Sequence, residues 1–268
     1  MSGARVDPLD RWERASFSAA GFTHDTYRRG VGPGVVVIHE LPGITPMVIG
    51  FADDVVARGF TVVMPDLVGT PGRPPNPLSL ASSFARVCVS REFTAWALDR
   101  TTPVTAWLRA LARELHADVG GPGVGAVGMC FSGGFALGMM IDDIMVAPVL
   151  SQPSFPIAVG RRDAGGNLGL SPDDEAEVVR RAREGCEVLG LRFTGDRMVG
   201  TRFDTLRERL GDAFIAVELE STSALDHSVL TEHRDESAVR RVLDFLAAKL
   251  SSDDQFPESY TEPETETD

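Results

Sequence analysis

The sequence predicts a doubly wound α/β domain, in which a mostly parallel sheet carries helices on both faces. Three observations lead to this fold class. Short β-branched runs, such as VVVI at 35–38, are typical of strands that are buried on both faces. These runs alternate with segments of helical apolar spacing, as in a parallel sheet with crossover helices. The length of 268 residues, 43% of them hydrophobic, suits one large domain.

The predicted elements follow one another in the order that such a sheet requires. The first part gives two short edge strands within 17–29, a buried strand at 35–38, a helix at 46–58 and a strand at 60–64. The second part gives mostly helical sequence at 80–115 with a break near 101–103, a strand at 124–129, a helix from 132 to about 140, a strand at 145–150, strands at 189–193 and 214–219, and a closing helix at 237–250. Segments 67–77 and 153–170 are predicted to be irregular. Ser171 caps a further helix, with Pro172 at its first position.

Charge and cysteine content exclude several classes of protein. The net charge is −13, and residues 251–268 hold seven acids and no base, which leaves −6 for the rest. We therefore expect one domain at 1–250 and a disordered acidic tail at 251–268. An acidic chain does not favour nucleic acid as a partner, and no apolar run reaches the ~20 residues that span a membrane. The three cysteines and the lack of a signal peptide lead us to expect a cytoplasmic protein. We further expect a monomer or homodimer. The cysteines and histidines do not show the spacing of zinc ligands, so we expect no metal or other cofactor.

The segment GMCFSGG at 128–134 is the strongest signal for chemistry. It joins a predicted buried strand to a helix, where a nucleophile occupies a sharp turn at the carboxyl edge of the sheet. Such a turn requires small residues on both sides, and Gly128 and Ser132 meet this need for Cys130. Ser132 is a rival, because Cys130 and Gly134 are also small. The strand ends before Cys130, which favours Cys130 as the nucleophile.

The segment HELPG at 39–43 follows the first buried strand and carries a resemblance to a known family. An HE dipeptide, an apolar residue and a glycine, together with the cysteine elbow, resemble the dienelactone hydrolase family. The resemblance implies an α/β-hydrolase fold. It also implies that Glu40 contacts the nucleophilic cysteine, and that the backbone N–H groups of Leu41 and Phe131 form the oxyanion hole.

Two later segments resemble the family's acid and histidine. Gly195-Asp196 follows a predicted strand, and Asp226-His227-Ser228 follows the last strand, although the family usually has glycine at the position of Asp226. Cys130, Asp196 and His227 thus stand in the nucleophile, acid, histidine order of α/β-hydrolases. Alternatives to these two residues come later in the chain; they are Asp204 and Asp212 for the acid and His233 for the base.

The resemblance implies a hydrolase that acts on small-molecule esters or lactones through a Cys-His-Asp triad. Two other classes stay open, namely a non-hydrolytic acyl transfer, cyclisation or isomerisation at the same site, and a catalytically silent binding protein. The sequence departs from the family where an arginine, four residues after the histidine, would hold a substrate carboxylate, because Thr231 stands there. Three arginines are candidates for the family's second substrate-binding position: Arg86, Arg91 and Arg100. We therefore expect neutral esters or lactones to be preferred over anionic ones.

Overall fold

Eight β-strands in the described part of the chain form one sheet. A computed structural model describes residues 7–93, 101–154, 164–223 and 225–251. The strands are β1 (Glu13–Ala19), β2 (Phe22–Arg29), β3 (Gly34–Ile38), β4 (Thr61–Pro65), β5 (Val124–Met129), β6 (Met145–Ser151), β7 (Val188–Phe193) and β8 (Phe214–Leu219). Their order across the sheet is β1-β2-β4-β3-β5-β6-β7-β8. β1 and β2 form an antiparallel hairpin at one edge, β2 pairs antiparallel with β4, and all further pairs are parallel.

Seven α-helices connect these strands in the described segments. They are α1 (Pro46–Ala57), α2 (Pro77–Val89), α3 (Pro103–Val119), α4 (Gly133–Met139), α5 (Pro172–Arg183), α6 (Arg202–Leu210) and α7 (Glu236–Leu250). The predicted α/β fold with helices on both faces is confirmed. Helix α6 was not among the predicted elements, and α2 begins at Pro77, three residues before the predicted helical sequence.

Two apolar cores lie on opposite faces of the sheet. Helices α1 and α7 pack on one face, and α3 to α6 pack on the other. Successive residues of β3 alternate between the two cores. Val35 and Val37 pack in the core on the side of α1 and α7, whereas Val36 and Ile38 pack in the core on the side of α3 to α6. This alternation follows from the two-residue period of a strand, and it explains why the run must be apolar throughout.

Side-chain caps fix the start of several helices. Thr45 accepts a hydrogen bond from the Val48 amide at α1, and Ser171 accepts one from the Asp174 amide at α5, as predicted for Ser171. Asn76 and Ser79 form a reciprocal capping box at α2. These caps satisfy amides that the first helical turn leaves without partners.

Three sequence predictions reach beyond the described residues. Outside the described part of the chain lie the predicted acidic tail at 251–268 except for Ser251, Arg100 within 94–100, and residues 155–163 of the irregular segment 153–170. Within the described part, no helix is both long and apolar enough to cross a bilayer.

Candidate active site

Cys130 lies at a strained turn between β5 and α4. Strand β5 ends at Met129, and a short 3-10 turn, Cys130–Ser132, leads directly into the helix. The φ angle of Cys130 is +54°, a conformation that non-glycine residues seldom adopt. Such strain at the end of a central parallel strand is typical of a nucleophile elbow, in which the side chain projects from the carboxyl edge of the sheet.

The small residues around this turn are required by its packing. A Cβ atom on Gly128 would lie 2.3 Å from the carbonyl oxygen of Ser132, and one on Gly133 would lie 2.7 Å from the Cβ of Pro153. Both distances are far below van der Waals contact. The sequence requirement for small neighbours therefore has a direct physical cause.

Ser132, the rival nucleophile, is buried and held by the backbone. Its hydroxyl lies 3.0 Å from the Ile38 carbonyl and 2.9 Å from the Met129 carbonyl, and it accepts a hydrogen bond from the Met129 amide at 2.8 Å. These contacts join the ends of β3 and β5. Ser132 therefore serves the backbone of the turn, and the choice of Cys130 over Ser132 as the nucleophile stays a prediction.

Ser154 contacts Cys130 through both its side chain and its backbone. The two side-chain atoms, Cys130 Sγ and Ser154 Oγ, are 3.1 Å apart, and the Ser154 amide donates to the Cys130 carbonyl at 3.0 Å. Cys130 is 8% exposed and Ser154 is 4% exposed. Sequence reasoning did not identify Ser154, because it follows β6 in a segment that has no motif.

His227 and Asp196 are brought together on the loops that follow β8 and β7. His227 Nδ1 lies 2.6 Å from Asp196 Oδ2, and the aspartate is buried. Burial lowers the pKa of His227, but the hydrogen bond with Asp196 and the proximity of Cys130 outweigh it and raise the pKa to about 10. His227 Nε2 is buried and makes no hydrogen bond of ordinary geometry to any described residue, although Cys130 lies close enough to raise the pKa of His227.

The loop that carries His227 is fixed by polar contacts. The carboxylate of Asp226 accepts hydrogen bonds from the Thr222 amide at 2.6 Å and the Ser223 amide at 2.8 Å. Hydrogen bonds from the backbone amides of Ser223 and Thr222 lower the pKa of Asp226. His233, the alternative base, accepts a hydrogen bond from the His227 amide through Nδ1 at 3.3 Å. Asp226 and His233 therefore support the loop.

Glu40 is buried beneath this loop. Its carboxylate accepts hydrogen bonds from Gln152 Nε2 at 3.0 Å, from Ser228 Oγ at 2.8 Å and from Thr231 Oγ1. Burial raises the pKa of Glu40, and these three hydrogen bonds oppose the rise. The contact with the cysteine that the family resemblance implies is not among its described contacts. Thr231, at the position of the family's arginine, is 2% exposed and is directed to Glu40.

Gln152 connects the end of β6 to the same network. Its φ angle is +35°, and its side chain is fully buried. Besides donating to Glu40, it accepts a hydrogen bond from the Val229 amide at 3.3 Å. A second strained residue thus links Glu40 to the chain that follows His227.

His39 is a neutral structural residue at the end of β3. Its Nε2 accepts from the Leu67 amide at 3.2 Å, so Nδ1 carries the proton that it donates to the Glu40 carbonyl at 2.8 Å. Complete burial lowers the pKa of His39 to about 4. The imidazole therefore fixes the backbone before Leu41 and carries no charge at neutral pH.

The two predicted oxyanion donors leave neighbouring strands. β3 and β5 pair in parallel with Ile38 opposite Gly128, so Leu41 and Phe131 both follow the carboxyl ends of adjacent central strands. The rings of His39 and Phe131 lie 5.9 Å apart. This places the two segments at one edge of the sheet, where their amides are candidates for an oxyanion hole.

Arg202, at the start of α6, is a buried cation that sequence reasoning also missed. It is 3% exposed, and its guanidinium donates to the carbonyl oxygens of Asn167, Met198 and Val199 at 2.9, 3.2 and 2.8 Å. Burial lowers the pKa of Arg202 to about 10, while the nearby Cys130 acts in the opposite direction. Arg202 thus fixes the loop after Asp196 and adds positive charge near the cysteine.

Two of the three arginines proposed for a substrate carboxylate, Arg86 and Arg91, fall on described residues, and Arg100 lies outside them. Arg86 and Arg91 are exposed, and Arg86 lies near Asp66 and Glu92. Among the described residues, no group of three or more His, Cys, Asp or Glu side chains could hold a metal ion. All three cysteines are free thiols, with Cys88 and Cys186 half-buried.

Comparisons with known proteins agree with this architecture. A search of curated proteins finds no match. Among solved structures, a dienelactone hydrolase from Anabaena variabilis is 15% identical, with a TM-score of 0.61 over 90% of this chain and 100% of that one. A cold-adapted esterase from an Arctic intertidal metagenomic library is 15% identical, with a TM-score of 0.61 over 90% and 94% of the two chains. A dienelactone hydrolase-like promiscuous phosphotriesterase from metagenomic libraries is 19% identical, with a TM-score of 0.59 over 90% and 98%.

These structural likenesses support the fold, and the sequence model of one family covers most of the chain. The model described as the dienelactone hydrolase family matches residues 23–250, which include the elbow, the acid segment and the histidine loop. The chain belongs to the dienelactone hydrolase family.

Proposed function

We propose that this protein hydrolyses carboxylic ester or lactone bonds of small molecules, with Cys130 as nucleophile, His227 as base and Asp196 as the acid that orients the histidine. The observation that carries the proposal is the strained position of Cys130 beside a histidine whose Nδ1 lies 2.6 Å from a buried aspartate. Family membership and the esterase among the similar structures support a hydrolase.

The first half of the reaction forms a thioester. The Cys130 thiolate attacks the carbonyl carbon, and the π electrons move to the oxygen, which accepts hydrogen bonds from the amides of Leu41 and Phe131. One such donor contributes about 3–4 kcal/mol in a transition state. When the C=O bond re-forms, the C–O bond to the leaving group breaks, and protonated His227 gives its Nε2 proton to the leaving oxygen.

The second half releases the acid. Neutral His227 takes a proton from water, and the resulting hydroxide attacks the thioester carbonyl. Collapse of this intermediate breaks the C–S bond and restores the thiolate beside the imidazolium. Asp196 holds His227 in the tautomer that presents Nε2 to the reacting atoms throughout.

Turnover of a p-nitrophenyl ester by variants of each cysteine tests this proposal. Cys130→Ala should abolish turnover and the acylated species seen by mass spectrometry, whereas Cys88→Ala and Cys186→Ala should keep both. Iodoacetamide should label Cys130 first. Product analysis with a small ester and a lactone, in the presence of an added alcohol, distinguishes hydrolysis from acyl transfer. If Cys130→Ala kept wild-type turnover and Ser132→Ala lost it, the nucleophile would be Ser132 and the proposal would be wrong.

A further inference from the structure

Ser154 occupies the position next to the sulfur of Cys130. Strand β6 ends at Ser151, and after Gln152 and Pro153 the chain returns so that the Ser154 amide donates to the Cys130 carbonyl. This backbone bond fixes Ser154 against the elbow, with its Oγ 3.1 Å from Cys130 Sγ. Among the described contacts, Cys130 Sγ is the one hydrogen-bond partner of the Ser154 hydroxyl.

We propose that Ser154 is a further catalytic residue, whose hydroxyl donates a hydrogen bond to the Cys130 thiolate and favours that form over the thiol. The inference rests on the proposed role of Cys130 as nucleophile. A thiolate has no proton, so the hydroxyl must be the donor whenever the sulfur is charged. Because Ser154 is only 4% exposed, its hydroxyl cannot exchange this partner freely for bulk water. Hydrogen bonds to charged groups are also stronger than neutral ones.

Because the Glu40 carboxylate is bound elsewhere, Ser154 is the side chain that contacts the sulfur of Cys130. In the family resemblance the glutamate is the neighbour of the cysteine. Here the Glu40 carboxylate accepts from Gln152, Ser228 and Thr231, which draw it beneath the histidine loop. The neighbour of the thiol in this chain is therefore a neutral donor, which stabilises a negative sulfur where a carboxylate would repel it.

The charges around Cys130 act in the same direction. His227 approaches from the loop after β8 and Arg202 from α6, and both have their pKa influenced by Cys130. Two acids interact with the histidine, namely Asp196 by its hydrogen bond and Glu40 by its charge. A thiolate at Cys130 would therefore be stabilised by two nearby cations and by the hydroxyl of Ser154.

The test is the pH dependence of iodoacetamide alkylation and of kcat/KM in Ser154→Ala. Loss of a hydrogen bond to a charged sulfur should move the alkylation profile to higher pH by about 1 to 2 pH units. Activity should therefore fall at neutral pH and recover toward wild type as the pH rises. Ser154→Thr keeps the hydroxyl and should keep the wild-type profile. Thr105→Val, which removes a buried hydroxyl that bonds Thr102, controls for the general cost of such a loss.

The sign of the shift decides the outcome. If Ser154 Oγ accepts from the neutral thiol, its removal should move the alkylation profile to lower pH, and such a shift or an unchanged profile overturns the proposal. Should Ser154→Ala fail to fold, Ser154→Cys provides a weaker donor and should give an intermediate shift in the ultraviolet absorbance profile of the Cys130 thiolate, with the Ser154→Cys, Cys130→Ala double variant as the reference for the added thiol. Turnover that persists in Cys130→Ala would instead refute the nucleophile itself, independently of Ser154.

Discussion

The elbow around Cys130 and the loop around His227 are held in place by different forces. At the elbow, backbone atoms leave no room for a side chain at Gly128, where an added Cβ would lie 2.3 Å from the Ser132 carbonyl oxygen. At the histidine loop, Asp226 and His233 accept hydrogen bonds from backbone amides, and Glu40 accepts one from the Ser228 side chain. The nucleophile should therefore be sensitive to added volume, and the histidine to the loss of polar groups.

The largest effect is expected from added volume at the elbow. Gly128→Ala would force the Ser132 carbonyl away, so we expect a loss of about 3 kcal/mol or more in the free energy of unfolding, together with loss of turnover. Denaturant unfolding and ester hydrolysis measure both. Gly50→Ala is the control, because Gly50 lies in α1 with nothing within 4 Å of its added Cβ. It should stabilise by about 0.5–1 kcal/mol. Equal effects of the two changes would contradict the packing argument.

Loss of the negative charge beside His227 should affect the rate of turnover more than the stability of the fold. Asp196→Asn keeps the size of the side chain but removes the charge that holds His227 Nδ1. We expect kcat to fall by about 10³- to 10⁴-fold, with a lower pKa for the histidine. Asp204→Asn, at the exposed start of α6, is the matched control. If Asp204→Asn lost as much activity, the acid would be wrongly assigned.

The difference between the two regions also explains what the sequence could predict. The elbow was identified from sequence because its sterics are local, with the glycine, the cysteine and the strand within a few residues. The Glu40 contacts were not, because Ser228 and Thr231 lie 188 and 191 residues away along the chain. Helix α6 was missed since its buried apolar side chains, Phe203, Leu206 and Leu210, stand among charged residues.

The two histidines beside these regions should give opposite pH dependence of stability. The pKa of His39 is lowered to about 4, below the ordinary value of ~6.5, so the unfolded chain binds the proton more readily. Stability should therefore fall by about 3 kcal/mol as the pH drops from ~6.5 through 4. The pKa of His227 is raised to about 10, so its contribution is complete below pH ~6.5 and is lost as the pH rises through 10.

Urea unfolding across pH in two variants separates these contributions. His39→Gln should flatten the acid limb, and His227→Gln should flatten the alkaline limb. His116→Gln, on α3, is the control and should change neither. An acid limb that is unchanged in His39→Gln would show that His39 is not the group that titrates.

A smaller effect is expected from weakening the contacts of Glu40. Thr231→Val removes one of three donors while preserving shape, and the buried carboxylate keeps the other two. We expect a loss of about 1–3 kcal/mol in stability, since one acceptor is left with less compensation. Thr205→Val is the control, because its hydroxyl bonds the Thr201 carbonyl on an exposed part of α6. Chemical denaturation measures the free energy of unfolding of both variants. Equal losses in Thr231→Val and Thr205→Val would show that the hydrogen bond to Glu40 contributes no more than an exposed one.

The smallest effect is expected on the preference between neutral and anionic substrates, which depends on residues near both the elbow and the histidine loop. Thr231 carries no charge, is buried and is directed to Glu40, so it offers no cation to a substrate carboxylate. Arg202 lies near Cys130, but its guanidinium already donates to three carbonyl oxygens of the acid loop. A desolvated carboxylate without a bidentate partner is costly to bind. We therefore expect kcat/KM to be higher for the methyl ester of a dienelactone carboxylate than for the free acid, by less than about tenfold, or about 1.4 kcal/mol. A preference for the free acid that disappears in Arg202→Met and persists in Arg202→Lys would reverse this prediction and make Arg202 the residue that recognises the carboxylate.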